Sequence, residues 1–288
     1  MLPEFDLLTP QTLPEALDML AQGAPAVVPI AGGTNVVVNL REGQYRGRTL
    51  LDVTRLQELR GLRRENGHVV IGGGTTIAEL MTDPLITAHG APLRQAAAVL
   101  GSPLVRNRAT VAGNLVDASP AADMAPPLLV LAAEVKLASR DGTRWLPLRE
   151  FFVGPNETLR RPDELLVAVR WPIPPENSKA AFHKIGLRNA LACSVITTAV
   201  LTETDENGRC RQVRIALGSV APTPLRAYAA EDALQGQTLA ADAIAEAAQL
   251  SAEATNPIDD VRGTAAYRRR MAEVLVRRLL EKGVRSRK

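Results

Sequence analysis

Apolar residues near the start of the chain follow two rhythms. In "TLPEALDML", Leu13, Leu17 and Leu20 fall on one helical face, and Thr12 with Glu15 three residues on forms a capping-box pattern. "APAVVPIAGG" and "RTLLDVTRL" are instead short apolar runs edged by polar or glycine residues, the form of buried strands. "HVVIGGGTT" is a third strand ending in glycines, and "TIAELMTD" opens a helix on Thr76 and Glu79. A helix through "APLRQAAAVL" follows. After Pro126 and Pro127, "LLVLAAEVKLAS" passes from helix to strand, "RDGT" turns, and "DELLVAVRWP" is a strand stopped by Pro172.

The pattern changes at "WPIPPENSK", Trp171 to Lys179, whose prolines resist both helix and central strand. The expected division is 1–176 and 177–288, with the first part split again near residue 55. Beyond the boundary, "CSVITTAVLTE" and "CRQVRIALGSV" are long β-branched runs joined through Asn207–Gly208, a hairpin signal. "AADAIAEAAQLSAEA" and "YRRRMAEVLVRRLLEKG" predict helices, the second with Tyr267, Met271, Val274, Leu275 and Leu279 along its apolar face. Arg268 to Arg270, Arg277 and Arg278 read as a solvated face of that helix. The whole is an α+β pattern with a smaller C-terminal domain.

Composition narrows the function classes. The 288 residues, 46% apolar and 23% charged, suit a globular protein of two domains. No apolar run reaches membrane-spanning length, and "MLPEFDLLTP" lacks the basic region and apolar core of a secretory leader, so a cytoplasmic location is expected. A net charge of +3 with only 3% aromatic residues gives no stacking platform for nucleic acid. Cys193 and Cys210 lie far apart without nearby histidines, which argues against a protein-bound zinc or iron–sulfur site. Their spacing leaves a disulfide open, although cytoplasmic thiols are usually reduced. His68, His89 and His183 belong to no nucleophile motif. A chain this poor in reactive side chains, if it is an enzyme, works through a bound cofactor.

Two stretches stand out. "AGGTN", Ala31 to Asn35, places glycines, a hydroxyl and an amide between β-branched segments. "RNRATVAGNLVDASPAAD", Arg106 to Asp123, does the same with Thr110, Gly113 and Asn114 among small residues. Small residues admit another group close to the backbone, and successive free N–H groups form an anion-binding concavity. Two such loops facing each other would cradle a diphosphate without a lysine, and Asp123 would accept from a sugar hydroxyl. Neither stretch is the Gly-x-Gly-x-x-Gly dinucleotide fingerprint.

With "TVAGNLVDASPAADMAPPLLVLAAEVKL", "DELLVAVRWP", "FHKIGLRNALACSVITTAVL" and "RGTAAYRRRMAEVLVRRLLE", these stretches resemble the FAD-binding medium subunits of molybdenum hydroxylases, from about Phe5 to about Leu280. The resemblance implies a two-part FAD domain of the vanillyl-alcohol-oxidase (PCMH) type and a C-terminal domain with a three-stranded antiparallel sheet and helices. It implies that Ile30, Ala31, Gly32, Gly33, Thr34, Asn35 and Val36 wrap the diphosphate of non-covalent FAD, with Thr110, Gly113 and Asn114 as the second clamp. Asp123 would bind the ribityl or ribose region, and Leu100, Leu166 and Lys184 would lie near the flavin. Two departures stand out: Ala112 replaces the first glycine of a Gly-Gly-Asn pattern, and where some relatives place an aromatic or charged residue after the lysine, "LRNALAC" offers Arg188 and Asn189 but no aromatic. A methyl at 112 fits if φ there is negative.

The implied partners are a large molybdopterin-binding subunit and a small [2Fe-2S] subunit, as a dimer of heterotrimers, with this FAD delivering electrons to NAD⁺, a quinone, O₂ or another carrier. The competing readings are a stand-alone FAD-dependent oxidase or reductase, which should show its own base or substrate clamp, and a non-catalytic nucleotide-binding module.

Overall fold

The computed structural model describes residues 2–45, 48–188 and 191–285. The first lobe is a small parallel sheet, β1 (Asp6–Leu8), β2 (Val27–Ile30) and β3 (Thr49–Asp52) in the order β1-β3-β2, with helices α1 (Leu13–Gly23) and α2 (Val36–Arg41). At α1, Thr12 accepts the Glu15 amide, but Glu15 reaches back to the amide of Gln11 instead of completing the box on Thr12.

The second lobe is an antiparallel sheet in the order β4-β5-β10-β6-β7: β4 (Leu62–Glu65), β5 (His68–Gly72), β6 (Glu134–Ser139), β7 (Gly142–Pro147) and β10 (Leu165–Pro172). Between β5 and β6 run α3 (Ile77–Thr82), α4 (Pro84–His89), α5 (Ala91–Val99), α6 (Pro103–Arg106), α7 (Val111–Val116) and α8 (Ala125–Val130). Here α3 carries the full capping box of Thr76 and Glu79. After β7 come α9 (Leu148–Phe151) and the short pair β8 (Phe152–Gly154) and β9 (Glu157–Thr158). β10 is central and buried on both faces. Leu165 and Val167 pack with α1, β2 and β3, while Leu166, Val169 and Trp171 enter the main core. That explains its unbroken apolar run, since a strand covered on both sides has no polar face to alternate.

The C-terminal domain has four antiparallel strands where three were expected: β11 (Ser178–Gly186), β12 (Ser194–Thr204), β13 (Cys210–Gly218) and the two-residue β14 (Leu225–Arg226). Two residues are too few to give a periodic signal. One face of the sheet packs on the helices α10 (Tyr228–Leu234), α11 (Ala241–Glu253) and α12 (Ala265–Arg285), and the other joins the core of the second lobe.

The buried stripe of α12 is rotated from the expected one. It comprises Arg268, Ala272, Leu275, Val276, Leu279 and Leu280, while Tyr267 is 45% exposed. Arg268 leaves the arginine run for the interior because Asp260 pairs with it and the Ser219 carbonyl accepts from it. Both described cysteines are free thiols, and burial pushes Cys210 up to about 11. Among the described residues no helix is long and apolar enough to cross a membrane, and no cluster of His, Cys, Asp or Glu could hold a metal. Asn189 lies outside the described residues.

Candidate cofactor site

Where the two lobes meet they enclose a cavity of about 470 Å³, within the range of cofactor sites. Its first wall is the turn from β2 into α2. Gly33 takes φ +72°, a conformation other residues adopt at a cost. Gly32 serves a different purpose: a Cβ there would lie 2.0 Å from the Arg108 carbonyl oxygen, so the two loops touch backbone to backbone. Among the described residues, the amides of Gly32, Gly33, Thr34, Asn35 and Val36 donate to no protein acceptor, and the ladder resumes with Val37 to the Gly33 carbonyl. Five successive open donors form an anion cradle.

The second wall is built differently from the expectation. Thr110 caps α7 by accepting the Gly113 amide at 3.0 Å. The Val111 amide donates to Thr75, Ala112 to Gly73 and Asn114 to Thr110. These amides are therefore spent inside the protein, and this wall offers side chains instead. Asn114 Oδ1 accepts the Met124 amide, which leaves its NH₂ group for the cavity that Asn114 lines. Ala112 sits inside α7 with negative φ, so its methyl is accommodated.

A third glycine stretch was read only as a strand end. Gly73 and Gly74 line the cavity, and a Cβ at Gly73 would meet the Leu166 carbonyl oxygen at 2.4 Å. The triple glycine was the available signal. Tyr45, Asn156, Arg160 and Glu164 also line the cavity, and no sequence pattern marked them.

Of the residues singled out from sequence, Ala31 to Val36, Leu100, Thr110, Gly113, Asn114 and Leu166 line this one cavity. Ile30, Asp123 and Lys184 stand outside its lining. Ile30 ends β2 and its carbonyl accepts the Val53 amide. Asp123 and Lys184 form an ion pair at 2.6 Å, both nearly buried. The Asp123 carboxylate also accepts from the Ser194 hydroxyl at 2.5 Å, and Lys184 reaches the Val99 carbonyl at 3.4 Å. Burial pushes Asp123 above the usual carboxylate range, and Lys184 and Ser194 offset part of that. The pair adjoins the cavity through Leu100, which follows Val99, and through Asn114, which holds the residue after Asp123.

A glycine-walled cavity between two lobes, with a run of open amides on one side, is suited to a phosphorylated cofactor. Residues 3–174 match the family described as the FAD binding domain in molybdopterin dehydrogenase, and residues 180–282 match the CO dehydrogenase flavoprotein C-terminal domain. The chain belongs to this family: it is an FAD-binding subunit of the molybdenum hydroxylase class.

It is 31% identical to the xanthine dehydrogenase FAD-binding subunit of Escherichia coli O157:H7, over 95% of this chain and 94% of that one. It is 33% identical to the 6-hydroxypseudooxynicotine dehydrogenase complex subunit alpha of Paenarthrobacter nicotinovorans, over 98% and 95%. Among solved structures it is similar to carbon monoxide dehydrogenase from Hydrogenophaga pseudoflava, with TM-score 0.94 at 32% identity over 98% and 97% of the chains. Quinoline 2-oxidoreductase from Pseudomonas putida 86 gives TM-score 0.92 at 28% identity over 99% of both. The stand-alone oxidase or reductase is not favoured by these matches.

The residues present fit FAD. The open amides suit its diphosphate, the glycine walls leave room for close approach, and Leu100 and Leu166 offer apolar surface to a flat ring. No His or Cys is among the described lining residues to bond the ring covalently.

Proposed function

We propose that this chain is the electron-transfer flavoprotein of a three-subunit molybdenum hydroxylase. A large molybdopterin subunit would oxidise the substrate, a small [2Fe-2S] subunit would relay the electrons, and an acceptor would collect them here. FAD, when bound, supplies both one- and two-electron redox chemistry, which joins a single-electron relay to a two-electron acceptor. The observation that carries the reading is the end-to-end match with medium chains of such dehydrogenases, which covers nearly all of both chains.

The chain's own residues have distinct tasks in this reading. Ala31 to Val36 hold the diphosphate through their amides, and Ile30 fixes where that turn begins. Thr110, Gly113 and Asn114 close the opposite side. Leu100 and Leu166 exclude water from the ring, and Asp123 holds Lys184 so that a fixed positive charge lies beside it. Each Asp123 oxygen retains acceptor capacity for a sugar hydroxyl. We further propose a cofactor domain of residues 1–176 and a C-terminal domain of 177–288, assembly as a dimer of heterotrimers, and a cytoplasmic location.

Purification of the native complex with flavin, iron and molybdenum analysis tests this. One dissociable FAD per copy of this chain is expected, with iron and molybdenum on two other chains. A complex without molybdenum, or a chain that oxidises substrate alone, overturns it.

A further inference from the structure

We propose that Arg160 binds the phosphates of the cofactor, the Nε–Nη2 edge of its guanidinium completing the anion cradle that the amides of Gly32 to Val36 begin. This rests on the FAD reading of the cavity. Among the described lining residues Arg160 is the sole Lys or Arg, and it shares the cavity with Asp117 and Glu164. A dianionic diphosphate placed there has this one cationic side chain on the described lining to meet it.

The guanidinium is held for such a role. Nη1 donates to the Glu164 carbonyl at 2.7 Å and the Arg161 carbonyl at 3.0 Å. Two backbone acceptors thus pin one nitrogen and fix the plane. Among the described residues, Nε and Nη2 have no hydrogen-bond partner, and neither is enclosed as a buried unsatisfied atom. The free edge is the one that meets a phosphate or carboxylate in two parallel bonds.

The neighbouring acid does not take that place. Glu164 is 1% exposed and is engaged by Arg144 through two bonds and by the Arg161 amide. Among the described residues no carboxylate is hydrogen-bonded to Arg160 itself. Burial lowers Arg160 below the ordinary arginine range, with Glu164 and Asp163 opposing the shift only through space. A half-buried cation with no hydrogen-bonded anion carries part of its desolvation cost unrepaid, and a bound phosphate offsets it.

The test uses the full chain freed of flavin and then titrated with FAD and, separately, with riboflavin, which lacks phosphate. In Arg160→Met, FAD affinity should fall roughly 10- to 150-fold, the worth of a charge-assisted hydrogen bond. Riboflavin affinity should stay within about threefold of wild type. Arg160→Lys, which keeps the charge but not the fork, should fall between wild type and Met for FAD. Unchanged FAD affinity in Arg160→Met overturns the proposal. A parallel loss of riboflavin affinity also overturns it, since it would make Arg160 a support for the Glu164 turn. Wild-type chain that binds no FAD would instead overturn the family reading of the cavity.

Discussion

A methyl group at position 32 would stand 2.0 Å from a backbone oxygen, whereas one at position 33 would find its nearest atoms at 3.4 Å. The adjacent glycines are thus needed for different reasons, and they should fail differently. Gly33→Ala meets a φ of +72° and should cost about 1–2 kcal/mol of stability with a modest loss of FAD affinity. Gly32→Ala must push the turn away from Arg108, so FAD affinity should fall more than tenfold, about 1.4 kcal/mol. Fluorescence titration of both variants checks this, and equal affinities would show that the loop contact does not shape the cradle. Asp123 and Lys184 also separate. Asp123→Ala removes an acceptor and leaves Lys184 buried without its anion, so FAD affinity should drop roughly 10- to 150-fold. If Lys184 lies beside the ring as proposed, Lys184→Ala should instead lower the flavin midpoint potential while FAD remains bound, because a cation there favours added electrons. An unaltered potential would make Lys184 a partner of Asp123 only. At this scale the sequence was legible where residue type declares backbone geometry, as at "AGGTN". It was silent on Tyr45 and Arg160, whose place in the cavity depends on contacts distant in sequence.

Elements were legible where the environment is uniform along the chain. The amphipathic α1 follows its apolar pattern because it packs one defined face, and β12 and β13 read as near-continuous apolar runs because the helices cover one face and the second lobe the other. Only part of how α7 faces the cavity was legible, for a physical reason: sequence shows small residues but not where their amides donate, and the glycine turn after β5 takes two of them. The turn before α12 was equally hidden. There Asp260 joins Arg262 and the buried Arg268, and these arginines hold its carboxyl down at about 2. Arg262 also donates to the Ser194 carbonyl, tying this turn to the start of β12 and so to the residue whose hydroxyl meets Asp123. Because the folded pKa lies below the unfolded one of about 3.9, the stabilisation is complete above that value. It is lost as pH falls toward about 2. Asp260→Asn strands a buried guanidinium and should cost about 3 kcal/mol at pH 7. The difference from wild type should shrink steadily in denaturant titrations below about pH 4. A difference unchanged between pH 6 and pH 3 would remove the carboxylate from the account.

At the scale of the whole molecule, the boundary legible in "WPIPPENSK" separates sequence patterns but not cores. Phe182, Ala199, Leu201 and Ala216 belong to the same cluster as Val69, Leu128 and Trp171, so the C-terminal sheet roofs the second lobe. The helix between them, α8, is buried along its whole length, the environment of a helix apolar all round. Two arginines from the C-terminal domain cap its end: Arg214 donates to the Val130 carbonyl and Arg226 to the Leu129 carbonyl. The Gln95 side chain accepts the Phe182 amide at 2.7 Å, a further bond across the boundary. Sequence could not show this, because an apolar β12 looks the same whether its second face meets solvent-side helices or another domain. Two domains sharing one core should unfold together, so calorimetry of the full chain should give a single transition. The domains alone should behave accordingly: residues 1–176 expressed without the rest would expose the α8 surface and aggregate, while co-expression with 177–288 should rescue them. Arg226→Ala probes the joint with one substitution. It leaves Glu231, which now takes two bonds from Arg226, buried without its cation, and should cost about 3–5 kcal/mol. If the shared core couples the domains, that loss lowers the one transition as a whole. A second, earlier transition confined to the C-terminal domain would mean that the domains unfold independently and that the boundary in the sequence is a boundary in stability as well.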